Sequence, residues 1–128
     1  MKILLDTCTF LWIVGDPGRL PARALALFQS PDHEVLLSAA SAWEIAVKHG
    51  LGRLPLPQPP ERFVREMREA HGIAPLPIDE ESALHVSRLP DLHRDPFDRM
   101  LVSQSIVHGL TIMTPDPFIT QYPGRTMW

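Results

Sequence analysis

Cys8 is the one cysteine of the chain, and Lys2 and Lys48 are its only lysines. A lone thiol forms no internal disulfide, so a disulfide-built scaffold is excluded and a reducing compartment is the default. A catalytic thiol needs a base beside it, and no histidine is obviously paired with Cys8. Its apolar neighbours make a buried structural residue the expectation. No apolar run is long enough to span a membrane. The opening stretch MKILLDTCTFLWIVGD carries Asp6 inside its apolar run, and no small-residue cleavage site follows. It is therefore not read as a signal peptide, and a cytoplasmic location is expected. The six histidines (His33, His49, His71, His85, His93, His108) lack HxH and HExxH spacing, which argues against a zinc site. Excess positive charge is also missing. Twelve basic residues face 15 acidic ones, for a net charge of -3. An anionic partner would need a local reversal of the field, from an arginine cluster or a bound cation.

What is present is ordinary globular composition: 128 residues, 45% hydrophobic and 21% charged. That suffices for one domain, residues 1–128, with a real core. KILLD is a short buried-strand run that ends on a carboxylate. TCTFLWIVG reads as a first helix or turn closed by Gly15 and Pro17. LPARALALFQSP places Leu20, Ala24, Leu27 and Phe28 at helical spacing, ending before Pro31. HEVLLS is a second strand. SAASAWEIAVKHGLG is a third helix, with Ser38 or Ser41 as cap and Gly50 or Gly52 at its end. The proline-rich RLPLPQPPE is a loop rather than a domain linker. A charged amphipathic helix follows in PERFVREMREAHG, then a short extended piece in IAPLPI. DEESALHVSRL opens acidic and ends basic, as a helix dipole favours. DPFDRMLVSQSIVHG is a long helix closed by Gly109, LTIMT a further buried strand, and QYPGRTMW a candidate edge strand. Strands alternating with helices predict an α/β fold with a parallel sheet covered on both faces.

In such a sheet, ligands gather beyond the carboxyl ends of the strands. Asp6 ends the first strand, and Asp116 follows LTIMTP at the end of a later one. Asp98 stands in the first turn of the helix leading to that later strand. Glu44 sits among Trp43, Ile45, Ala46 and Val47 on the third helix. Each has an ordinary alternative. Asp6 satisfies backbone groups at a strand end, Glu44 pairs with Lys48 at i+4 on a solvated face, and Asp116 makes a turn before Pro117. Asp95 and Asp98 begin a helix, with Asp95 as N-cap and Pro96 at the first position. Taken together, however, four carboxylates at one end of a sheet repel one another and acquire raised pKa values unless a cation joins them. An oxygen-only set suits Mg²⁺ or Mn²⁺, which activate water and neutralise charge on a phosphate. The set points to phosphodiester hydrolysis without a covalent intermediate.

The blocks ILLDT, SAASAWEIAVKHGLGRL and DPFDRMLVSQSIVHGLTIMTPD resemble those of PIN-domain proteins, and more narrowly of VapC-like ribonuclease toxins from toxin–antitoxin pairs. The resemblance covers essentially the whole chain. It implies a three-layer α/β/α fold with a central parallel sheet of four or five strands. It also implies Mg²⁺- or Mn²⁺-dependent cleavage of RNA, a homodimer, and a cognate antitoxin whose C-terminal segment lies over the active site. Carried over by position, the four family acids are Asp6, Glu44, Asp98 and Asp116, with a hydroxyl from Thr7 or Thr114 beside the metal. Asp95 accompanies the DPFDR block but is absent from many other PIN domains, so it ranks second, as a ligand or an outer residue. Arg99 orients a carboxylate, meets phosphate or makes a surface ion pair.

Arg62, Arg65 and Arg68, interleaved with Glu61, Glu66 and Glu69, read as a solvated helix face rather than an RNA surface. Trp12 and Trp43 are assigned to the core or a dimer interface. Other families that open with a strand-end aspartate fit less well. A haloacid-dehalogenase-like phosphatase needs a second aspartate where Cys8 stands, and a response-regulator receiver needs a late lysine that is missing. The alternative outside enzymes is a catalytically inactive PIN fold that binds RNA or protein.

Overall fold

The computed structural model describes all 128 residues. Five short strands form one all-parallel sheet in the order β3-β2-β1-β4-β5. They are β1 (Lys2–Leu5), β2 (Glu34–Ser38), β3 (Ala74–Leu76), β4 (Thr111–Met113) and β5 (Arg125–Met127). The helices are α1 (Thr7–Gly15), α2 (Ala22–Gln29), α3 (Ala39–Gly50), α4 (Pro60–Ala70), α5 (Glu80–His85), α6 (Pro96–His108) and α7 (Pro117–Thr120). Short 3₁₀ turns cover Pro17–Arg19 and Val86–Arg88. No helix is long and apolar enough to cross a membrane.

The near-continuous apolar runs of the central strands follow from burial on both faces. Alternate side chains go to opposite layers. Ile3, Leu5, Val35, Leu37 and Met113 join one core with Phe10 and Ile13 of α1, Ala24 of α2, Ile45 of α3, and Phe63 and Val64 of α4. Leu4, Leu36 and Ile112 join the other, with Leu101 and Val102 of α6 and Ile119 of α7. This is the three-layer α/β/α arrangement, and the candidate edge strand QYPGRTMW supplies β5. The chain winds outward from β1 through β2 to β3, then returns to lay β4 on the other side of β1. The order therefore reverses between β1 and β4, the crevice where ligands bind in open α/β sheets.

Helix ends follow the sequence closely. Ser38 rather than Ser41 caps α3, its Oγ accepting from Ala40 N at 3.0 Å. Gly109 takes φ +66° beyond α6, where Leu110 N donates to Ser105 O at 2.9 Å. The helix α7 was not anticipated. Its start, Asp116-Pro117-Phe118, repeats the Asp95-Pro96-Phe97 start of α6. In both, an aspartate caps and proline at the first position supplies a preset φ.

The fully buried Gln104 of α6 joins separate parts of this frame. Its Oε1 accepts from Ser38 Oγ at 2.6 Å, and its Nε2 donates to Pro77 O at 3.0 Å. Replacing it leaves a cavity and a buried, unpaired carbonyl. Gln104→Ala is expected to lower unfolding free energy by about 2–4 kcal/mol in a urea titration; a loss under about 0.5 kcal/mol would show that the site collapses or admits water.

Candidate active site

The parallel pairing of Leu5 with Met113 sets the ends of β1 and β4 side by side. Asp6 leaves β1 and caps α1, with Oδ1 accepting from Thr9 N at 2.7 Å. Its Oδ2 accepts from the Thr114 hydroxyl across the crevice. The same Thr114 Oγ1 accepts from Asp116 N at 3.0 Å, and Asp116 Oδ1 accepts from Phe118 N at 2.9 Å to cap α7. Thr114 thus ties the two strand-end aspartates together. Asp6 is only 4% exposed, and its pKa is raised chiefly by burial, with the Asp116 charge adding to it and the Thr114 and Thr9 hydrogen bonds opposing.

Glu44 enters from α3. Thr7 Oγ1 donates to its Oε1 at 2.6 Å and accepts from the Ser41 hydroxyl, 3.0 Å away. Lys48 Nζ lies 2.5 Å from Glu44 Oε2. The i+4 pair expected from the sequence forms, but on a face where Glu44 is 5% exposed rather than solvated. Lys48 is held protonated more firmly than usual by this hydrogen bond.

Asp98 comes from the first turn of α6. Asp95 Oδ1 accepts from Phe97 N at 2.8 Å and from Asp98 N at 3.1 Å, so Asp95 is the N-cap. Asp98 Oδ2 faces His93 Nε2 at 3.1 Å. Its pKa is pushed up to about 6, first by burial, then by the charge of Asp95, and further by Glu44 and Asp116; the His93 contact pulls the other way. The mutual effects show that the acids share one field. They do not share one coordination sphere. The one group of three ligand atoms within 4.8 Å is that of His93, Asp95 and Asp98, and no three of Asp6, Glu44, Asp98 and Asp116 come that close.

The PIN domain family model matches residues 3–124. This chain belongs to the PIN-domain family. Over 71 residues it is 42% identical to Ribonuclease VapC16 of Mycobacterium tuberculosis, a stretch covering 52% of this chain and 50% of that relative. The match thus spans about half the length of the curated relative. Among solved structures, VapBC2 from Rickettsia felis, bound to a DNA fragment from its promoter, aligns with a TM-score of 0.73 at 12% identity, covering 99% of this chain and 98% of that one. DNA-bound VapBC from Salmonella typhimurium gives 0.70 at 18%, over 99% and 97%. FitAcB from Neisseria gonorrhoeae gives 0.61 at 21%, over 98% and 96%. At these identities the structures establish the shared fold.

One sequence expectation for this PIN domain needs correction, and two are narrowed. Cys8 is exposed, not buried: it is the second residue of α1, and while Thr7 and Thr9 turn inward it turns to solvent. Its thiol is not activated: although the residue reaches solvent, the protein packed around the sulfur removes part of its water, and this desolvation, with the charges of Asp6 and Glu44, pushes its pKa up. Arg99 neither orients a carboxylate nor forms an ion pair. It donates to Pro90 O, Val86 O, His93 O and the Tyr122 hydroxyl, pinning the segment before α6. Of the two places expected for Trp43, the core is excluded, since Trp43 is 56% exposed with its ring edge-to-face on Phe97 at 4.8 Å. His93 is the site-lining residue that motif spacing missed. The signal available was H-x-D-x-x-D, which places a ring beside a helix N-terminus rather than along a helix face.

Because the fold opposes ionisation of Asp98, its folded pKa lies above the unfolded value. That contribution to stability is present below about pH 4 and is lost as pH rises through about 6. In metal-free protein, Asp98→Asn is expected to raise stability at pH 7 by about 1–2 kcal/mol, allowing for partial solvent screening, and to flatten stability between about pH 4 and 6.5. Denaturation curves at a series of pH values test this; an unchanged slope would contradict it.

Proposed function

We propose that this chain is a metal-dependent endoribonuclease, the toxin of a toxin–antitoxin pair. The observation that carries the reading is the gathering of Asp6, Glu44, Asp98 and Asp116 around the β1/β4 crevice, with Asp6 and Asp98 both resisting ionisation. Hard oxygen donors in mutual repulsion are the environment that a divalent cation relieves, and Mg²⁺ or Mn²⁺ fits that donor set. The spacing of the acids suits two ions, or one ion reached partly through water, better than a single four-carboxylate cage. RNA as the substrate is supported by the name of the ribonuclease relative, and an antitoxin partner by the toxin–antitoxin complexes among the structural neighbours. A groove of about 690 Å³ between α3 and α4 offers that partner apolar surface from Ala42, Ala46 and Val64, edged by Arg65 and Arg68. The reading includes a homodimer and a cytoplasmic location.

When bound, the cation supplies an activated water and neutralises charge building on the scissile phosphate. Asp6, Asp98 and Asp116 would hold it, with Glu44 and Asp95 at the margin. The protein's own groups set the geometry. Thr114 fixes Asp6 against Asp116, Thr7 and Lys48 fix both oxygens of Glu44, and Asp95 fixes the backbone from which Asp98 projects. Lys48 also brings a positive charge to the edge of an otherwise negative cleft that an RNA strand must approach.

Mn²⁺ is expected to raise the melting temperature of the wild type by several degrees and that of Asp6→Asn much less. In RNA cleavage, Asp98→Asn is expected to lose about 100-fold or more. Asp95→Asn should lose less than about tenfold, since asparagine caps a helix as well as aspartate. A wild type that neither responds to Mn²⁺ nor cuts RNA would leave the inactive PIN fold as the correct reading. The reverse ranking of Asp95 and Asp98 would exchange their roles.

A further inference from the structure

We propose that His93 is a positioning residue for Asp98: its Nε2–H donates to Asp98 Oδ2 and so fixes which carboxylate oxygen is presented to the cleft. The inference rests on the metal-centre reading above and adds to it a residue outside the acid set.

His93 lies between the 3₁₀ turn at Val86–Arg88 and α6, in a segment with no helix or strand. Holding such a segment in one conformation costs backbone entropy that a hydrogen-bonded ladder would otherwise offset. The chain meets that cost with side chains from two later elements. Arg99 of α6 reaches back to Val86 O, Pro90 O and His93 O. The Tyr122 hydroxyl also donates to His93 O, at 3.2 Å, and Arg99 stacks over the Tyr122 ring. Gln121 donates to Leu92 O at 3.4 Å. The imidazole itself lies flat on Phe118 of α7, centroids 4.7 Å apart and planes 9° from parallel. Backbone, ring plane and ring nitrogen are therefore each fixed by a separate contact, and the free end of the assembly points at Asp98.

Other histidines do different work. His49 and His71 meet backbone carbonyls, and His108 holds Asp79 at the start of α5. His93 meets a carboxylate of the cleft. A neutral imidazole carries one N–H, so donation to Asp98 requires the proton on Nε2 with Nδ1 bare. Carboxylates that ligate metals are commonly held in this way by an outer donor, whose loss costs about 10–100-fold in metal affinity or activity.

Two measurements test this together. Long-range ¹H–¹⁵N spectra of the histidine rings, recorded on metal-free wild type at a pH where His93 is neutral, are expected to show the Nε2–H tautomer. His93→Phe keeps a ring on Phe118 and removes the donor, whereas His93→Gln places an amide N–H near the position of Nε2. Titration calorimetry with Mn²⁺ is expected to show affinity about 10–100-fold weaker for His93→Phe and restored to within about threefold in His93→Gln. RNA cleavage should follow the same order in kcat, with KM nearly unchanged. A proton on Nδ1 would overturn the proposal. So would wild-type Mn²⁺ affinity in His93→Phe, or equal impairment of both variants, which would assign the effect to the ring as a stacking group or a direct ligand. Failure of wild type to bind Mn²⁺ or cut RNA refutes the metal-centre reading instead, and the ring tautomer still decides the role of His93.

Discussion

The parallel pairing of β1 with β4 is the constraint on which the rest depends. It joins residues more than a hundred positions apart and makes the end of each strand the neighbour of the other. Asp6 and Thr114 then meet without any loop having to find its partner, and Asp116 follows within two residues. The same pairing forces the reversal of strand order, so that α1 and α7 begin on opposite sides of one crevice. The apolar residues of β1 secure it from both faces, Ile3 and Leu5 in one core and Leu4 in the other. A one-residue slip would exchange those faces.

Around that crevice the chain repeatedly uses one local device. Asp6, Asp95 and Asp116 each stand at the N-cap of a helix, accepting backbone N–H groups that have no partner within the helix. Their helix starts also supply partial positive charge, which favours carboxylates there. Glu44, in the middle of α3, lacks that support, and Asp98 shares the charge of the α6 start without accepting a backbone N–H. Glu44 is held by Thr7 and Lys48, whereas Asp98 stands beside the Asp95 charge with only the His93 contact to oppose it.

Much of this was legible in the chain. The short continuous apolar runs marked the strands and their two-sided burial, Gly109 and the capping serine bounded their helices, and DPF announced the start of α6. Asp6, Asp95, Asp98 and Asp116 could be named because strand ends and helix starts are local patterns, and Glu44 because it stands among apolar neighbours on α3. What escaped the sequence depended on distant partners. The second DPF at Asp116 looked like a turn because four residues show no helical period. Cys8 looked buried because its neighbours are apolar, yet facing direction within a single helical turn separates it from Thr7 and Thr9. Arg99 looked like a charge awaiting a counter-charge, whereas its partners are carbonyls from the preceding segment and a hydroxyl from beyond α7. The place of His93 depends on Phe118 and Tyr122, which no spacing within its own segment reveals.

The sharing of Asp6, Asp95 and Asp116 between helix capping and the cleft has a consequence for mutational drift. Most replacements at these positions remove a cleft carboxylate and a helix start in the same step. A chain drifting away from the cleft chemistry by such changes would also weaken the start of α1, α6 or α7, at about 0.5–2 kcal/mol for each cap lost. The exceptions are asparagine and serine, which preserve the cap while discarding the charge. The folded, silent relatives of such a chain should therefore carry asparagine or serine at these three places more often than any apolar residue.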